Sequence, residues 1–152
     1  DAIDVQASIT NLRTQCNESG AQIVSQISFD VVARRSSAAG AREVTLPFFA
    51  TVVRSGDQIL SKQMGSVTLN FADGQLRAQA PAAARSQVER AQTILPADVN
   101  AKITKERKPG DEDAAIDPMA DPKVKAALRA ASFEVLVGFQ LDEAGLAYNV
   151  TR

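Results

Sequence analysis

Apolar residues return at every second position in segment after segment, with short polar turns between them, and that period of two points to antiparallel strands. Between Gln22 and Arg34 the positions Ile23, Ser25, Ile27, Phe29, Val31 and Ala33 trace one face of a long strand. The β-branched and aromatic side chains suit a pleated surface. The segment before it alternates through Ile3, Val5, Ala7 and Ile9 and reaches a polar turn at 17–20, so a hairpin is expected there. From Glu43 to Arg54, Val44, Leu46, Phe48, Ala50 and Val52 share one face while Phe49, Thr51 and Val53 share the other. Pro47 cannot donate to a ladder, which predicts an edge strand or a bulge at that point. The small, polar stretch 34–40 reads as a flexible connection carrying two exposed cations, Arg34 and Arg35.

Further along, 58–71 reads as two short strands or one bulged strand, and 75–80 follows a tight turn at Ala72-Asp73-Gly74. Segment 86–95 fits two periods: Val88, Ala91 and Leu95 at helical spacing, or Val88, Arg90, Gln92 and Ile94 at strand spacing. An edge strand is the preferred reading. Val99, Ala101 and Ile103 predict another strand over 99–105. A long polar loop, 108–121, ends in Asp121-Pro122, a cap followed by a first-turn proline. Val124, Ala127, Leu128 and Ala131 then fall on one face of a short helix near 122–131. Phe133, Val135, Val137, Phe139 and Leu141 alternate without fault, and Leu146, Tyr148 and Val150 after a turn predict a closing hairpin packed centrally in the sheet. The expectation is one domain over 1–152, mainly β: an antiparallel sandwich of about seven to nine strands, immunoglobulin-like in the first instance, with one short helix.

Composition narrows the chemistry. There is no histidine, so His-dependent triads, Cys-His dyads and the common zinc sites are excluded. Neither a Gly-x-Ser-x-Gly elbow nor a phosphate-binding glycine loop is present, and the reading is of a non-enzyme without a cofactor. Seventeen basic and 18 acidic residues lie interspersed at a net charge of −1, and tryptophan is absent, which argues against nucleic acid as a partner. Cys16 is the sole cysteine and has no cation beside it to activate the thiol. No apolar run approaches the roughly 20 residues that span a bilayer. The first residue is Asp1 rather than Met, which hints at a removed leader and export.

The segment 133–141, followed by Leu146-Ala147-Tyr148-Asn149, resembles the closing hairpin of a family of uncharacterised alphaproteobacterial envelope lipoproteins. Cys16 before the long strand 23–35, and Leu60-Ser61-Lys62, are similar to that family's pattern. The resemblance implies a periplasm-facing β domain tethered by a lipid at a cysteine upstream of Asp1. It implies no activity and no catalytic residues.

Three features are candidate sites. Phe48 and Phe49 must point to opposite faces of their strand, so Phe49 is a candidate interaction surface if Phe48 is core; Leu136 poses the same question beside Phe139. Lys102, Lys105, Arg107 and Lys108 form a basic run that could approach a membrane surface, or be paired and solvated. Asp111, Glu112, Asp113, Asp117 and Asp121 could attract calcium, but the glycine precedes the acids and no glutamate closes an EF-hand loop, so a solvated loop is the expectation. The partner expected is another envelope protein. The rival reading is a carrier that holds a lipid or other apolar molecule between sheet and helix.

Overall fold

Alternation becomes strand wherever it was strongest, and the connections decide which sheet each strand joins. The computed structural model describes residues 3–150. Its strands are β1 (Val5–Asn17), β2 (Gln22–Arg35), β3 (Arg42–Arg54), β4 (Gln58–Phe71), β5 (Arg77–Glu89) and β6 (Phe133–Phe139). They form two antiparallel three-stranded sheets, β1-β2-β5 and β4-β3-β6. The chain crosses between sheets at 36–41, again at 72–76, and a third time through a helical segment holding α1 (Ala97–Thr104) and α2 (Pro122–Ala131). A third helix, α3 (Glu143–Val150), follows β6.

The inner faces are the ones the alternation marked. Ile27, Phe29, Val31 and Ala33 of β2 meet Phe48 of β3 and Val67, Leu69 and Phe71 of β4 in one buried cluster. Full burial of a side chain such as Phe29 or Leu69 contributes about 1.5–3 kcal/mol, so this cluster is the main stabilising element. The β5 side of that core is a row of alanines, Ala78, Ala80, Ala82 and Ala84, each only partly buried. Val99 of α1 and Val124 of α2 are buried apart from this cluster, where the helical segment rests on the end of β3. Arg54 Nε donates to Ala130 O, and Ser55 and Arg129 exchange hydrogen bonds through Ser55 Oγ and Arg129 Nη2. Those bonds hold Ser55 at φ 57°, beside Gly56 at φ 87°, in the left-handed turn that joins β3 to β4.

Several expectations need correction. Six strands are found among the described residues rather than seven to nine, three in each sheet, where an immunoglobulin constant-type sandwich sets four strands against three. β3 is central, not an edge. Pro47 is tolerated because β6 pairs with β3 only from Phe48 to Arg54, so Pro47 lies beyond the end of that ladder. β4 is one strand, with its irregularity at Leu60, since Val52 faces Ser61 and Val53 faces Ile59. β5 is longer than expected and runs through Pro81, which an edge strand accommodates. Segment 86–95 divides: Glu89 still pairs with Gln22 in the ladder, and 90–93 turn as a 3₁₀ helix.

Residues 97–104 are helix, not strand. Val99 is buried and Ile103 half-buried at helical spacing, while Ala101 between them is exposed. The closing hairpin is also corrected: β6 is an edge strand, and 143–150 are helical. Asp142 there accepts a hydrogen bond from Gly145 N at 2.7 Å, starting a helix instead of turning a hairpin. The helix at 122–131 has the bounds expected of it, with the Asp121 side chain accepting from Lys123 N.

The connection 34–40 holds the largest departure. Arg34 is exposed, but Arg35 is 3% exposed. Its guanidinium donates to Gln75 O at 2.8 Å, Ala38 O at 2.9 Å and Ala72 O at 3.0 Å, and stands 5.2 Å from the Phe71 ring centroid. One buried cation thereby ties together both short crossings between the sheets.

Candidate functional site

On β3, Phe48 faces the core and Phe49 faces outward, as strand geometry requires. Each ring lies across a glycine of the neighbouring strand. Phe48 pairs with Gly65 of β4, and Phe49 pairs with Gly138 of β6. A Cβ at Gly65 would stand 2.4 Å from Phe48 Cζ, and one at Gly138 2.8 Å from Phe49 Cζ. Glycine at these two positions lets an aromatic ring lie flat on the adjacent strand, one ring on each face of the same sheet.

The outward ring is the centre of an apolar surface. Met64 of β4 is Phe49's partner on its other side, and Leu136 of β6 faces Thr51 one step along the same face. Met64 is 57% exposed and Leu136 48%, so neither is core, whereas Thr51 beneath them is buried and bonded to Ser61 O at 2.7 Å. Lys62 Nζ sits 5.0 Å from the Phe49 ring centroid and donates to Gln140 Oε1 at 2.9 Å. Phe49 and Leu136, singled out from sequence, thus share a face. Met64 was missed, although its place beside Gly65 in an alternating segment carried the signal.

The basic run has its counter-ions within the fold. Lys102 pairs with Asp121 at 2.7 Å, Lys105 with Asp113 at 2.7 Å and Arg107 with Asp113 at 3.8 Å. Lys108 donates its backbone N–H to Asp111 Oδ2 at 2.9 Å. These links join the basic run to the acidic loop. The loop's other acids work locally as well: Asp117 accepts from Met119 N, and Asp121 caps α2. Among the described residues no group of three or more acidic or thiol side chains is placed to hold a metal ion. Cys16 is exposed, with its Sγ 3.4 Å from Ser25 Oγ.

The carboxyls of Asp98, Asp113 and Asp121 all sit below the usual carboxylate range. The first cause in each case is the bond from a lysine: Lys123, Lys105 and Lys102 respectively. A carboxylate whose pKa is lowered on folding stabilises the fold above its unfolded pKa and loses that effect as pH falls through the folded value. Contacts between α1, α2 and the loop should therefore be unchanged from about pH 7 to 5 and loosen below about pH 4. Hydrogen exchange across 97–131 checks this, and loosening already at about pH 6 would contradict it, since the chain contains no histidine.

A cleft of about 650 Å³ opens at the side of the sandwich. Its floor includes Ile27 and Phe48, and its walls are Gln63–Gly65 of β4 and Ala83–Arg85 of β5. β4 and β5 run beside one another after the corner at 72–76 but are not hydrogen-bonded neighbours, and each belongs to a different sheet. Arg13 and Gln15 of β1 and Gln26 and Ser28 of β2 also line it. Comparison with known proteins found no matching family model, no matching curated protein and no matching solved structure.

Proposed function

We propose that this chain is a non-enzymatic, periplasm-facing envelope protein that acts as a protein-interaction module through the outer face of β4, β3 and β6. The observation that carries the reading is the cross-strand cluster of Met64, Phe49 and Leu136, apolar and largely open, around a glycine that keeps the surface flat. Clustered exposed apolar side chains rimmed by polar ones mark contact surfaces on soluble domains. The resemblance to envelope lipoproteins supports the placement at the periplasmic side and the lipid tether. The carrier reading is less favoured, because Val99 of α1 and Val124 of α2 are themselves buried in the helical segment.

The test is a photo-crosslinking residue placed at Leu136 in the native host, with a control at Gln79 on the opposite sheet. A discrete partner crosslinked at Leu136 alone, and lost with Met64→Lys at unchanged circular dichroism, supports the module. No crosslink from this face, together with a retained lipid mass in native mass spectrometry, would transfer the function to the carrier reading.

A further inference from the structure

We propose that the outward face of β1-β2-β5 binds a linear acidic glycan, laid across two pairs of arginines. The register places Arg34 of β2 directly opposite Arg77 of β5. Further along the same face, Arg13 of β1 stands opposite Ser28 and Arg85 of β5 opposite Gln26, on adjoining rows. Ile27, Phe29, Val31 and Ala33 of β2 point into the core, so these alternate rows point away from it. From Arg34 to Ser28 the strand runs about 20 Å, which is the distance between the two pairs.

The arginines are exposed and the fold leaves them without counter-ions. Like charges directly opposite in a ladder repel, yet the side chains of Arg34, Arg77 and Arg85 have no hydrogen bond or ion pair among the described residues. Asp4, which shares a hollow with Arg34, gives both carboxylate oxygens to Arg42 at 2.7 Å. The acids of the face itself are engaged. Asp30 accepts from Asn11 Nδ2 at 2.8 Å and lies 3.8 Å from Arg13, and Glu89 accepts from Gln22 Nε2 at 2.8 Å. The type of cation is one-sided as well. β1, β2 and β5 carry arginine and no lysine, while every lysine lies in β4 or in 97–131, where Lys102, Lys105 and Lys123 are in ion pairs. A guanidinium takes a carboxylate through two parallel bonds, which an ammonium cannot do.

What surrounds the arginines selects the class of polyanion. A shallow groove of about 620 Å³ along Arg34 and Arg77 is lined by Gln6, Ser8, Val32 and Gln79. Gln15, Gln26 and Ser28 accompany Arg13 and Arg85. Such amides and hydroxyls match the hydroxyls of a sugar ring. Single-stranded nucleic acid would need aromatic faces for its bases, and the one aromatic residue of these strands, Phe29, is in the core. A bilayer would need large apolar anchors among the cations, and the apolar members of the outward rows are Val24, Val32, Pro81 and Ala83. Two separated pairs favour a chain over a single anion, because one molecule reaching both gains from each. This face and the one around Phe49 belong to different sheets, so each proposal can fail alone.

The test is binding of fluorescent oligogalacturonate and of a heparin oligosaccharide to the intact protein. At least one is expected to bind, and the galacturonate monomer and a neutral galactan to bind far more weakly. Arg34→Gln with Arg77→Gln, and separately Arg13→Gln with Arg85→Gln, should each weaken the chain at least about tenfold. Arg34→Lys with Arg77→Lys should recover little of that loss, and Lys62→Gln with Lys125→Gln, the same change of charge elsewhere, should have no effect. Arg77→Gln relieves a like-charge contact, so the urea midpoint should hold or rise, which separates lost binding from lost fold. Failure of both glycans to bind overturns the proposal. So does a lysine pair that matters as much as the arginine pairs, or a monomer or neutral galactan bound as tightly as the acidic chain. Tighter binding of oligo(dT) or of phosphatidylglycerol vesicles through the same arginines overturns it too, and would give the face to nucleic acid or to a membrane.

Discussion

Arg35→Ala is expected to destabilise the protein by about 3–4 kcal/mol, among the largest single-residue effects in this fold. The side chain is nearly inaccessible, and its loss removes three charge-assisted hydrogen bonds, leaving Ala38 O with Gly74 N and Ala72 O with Gln75 N as their remaining donors. A hydrogen bond from a charged group contributes about 1.5–3 kcal/mol, and the contact with the Phe71 ring is lost as well. Urea unfolding reads the result as a fall in midpoint at unchanged slope. Arg35→Lys should recover only part of the loss, because one ammonium cannot reach three carbonyls in the geometry of a planar fork. A midpoint within about 0.5 kcal/mol of wild type would mean that the two crossings hold each other without the cation. The neighbouring bonds Gly40 N to Asp73 Oδ1 and Gly74 N to Ala38 O would then be the sufficient ties.

Gly65→Ala should cost about 2–3 kcal/mol, and Gly138→Ala under about 1 kcal/mol, although both glycines lie under a phenylalanine. The difference is burial. Phe48 is 4% exposed and locked edge-to-face on Phe29, with ring centroids 5.2 Å apart and planes at 89°, so a methyl group at Gly65 has nowhere to push it. Phe49 is half-buried and can swing toward solvent. Against a Phe48→Ala background the Gly65→Ala change should become nearly neutral, a coupling that a double-mutant cycle measures directly. Equal costs at the two glycines would show that the Phe48 ring is not confined by the core as described.

The sandwich was legible because its inner rows were written in a period of two. Ile27, Phe29 and Val31, or Val44, Leu46 and Phe48, need nothing but the pleat to choose their face. Phe49 and Leu136 were legible as candidates by the same rule: a strand with one face in the core must present the other. Where alternation was shared with a helical spacing the rule failed. Val99 and Ile103 are compatible with both periods, and only the exposure of Ala101 and the backbone bonds from Asn100 N to Pro96 O and from Lys105 N to Ala101 O mark the helix. Arg35 was read as exposed because a cation beside small polar residues ordinarily is; its burial depends on carbonyls from 72–75, far along the chain.

The sequence by itself determined that this chain builds antiparallel sheets, which rows face inward, where α2 begins, and that histidine chemistry is excluded, because each follows from local periodicity, capping or residue type. The tertiary structure alone decided that β3 is central, that β6 is an edge, and that β4 and β5 run side by side without joining. Strand neighbours are chosen by contacts between segments distant in sequence, and no local pattern encodes which edge is left open.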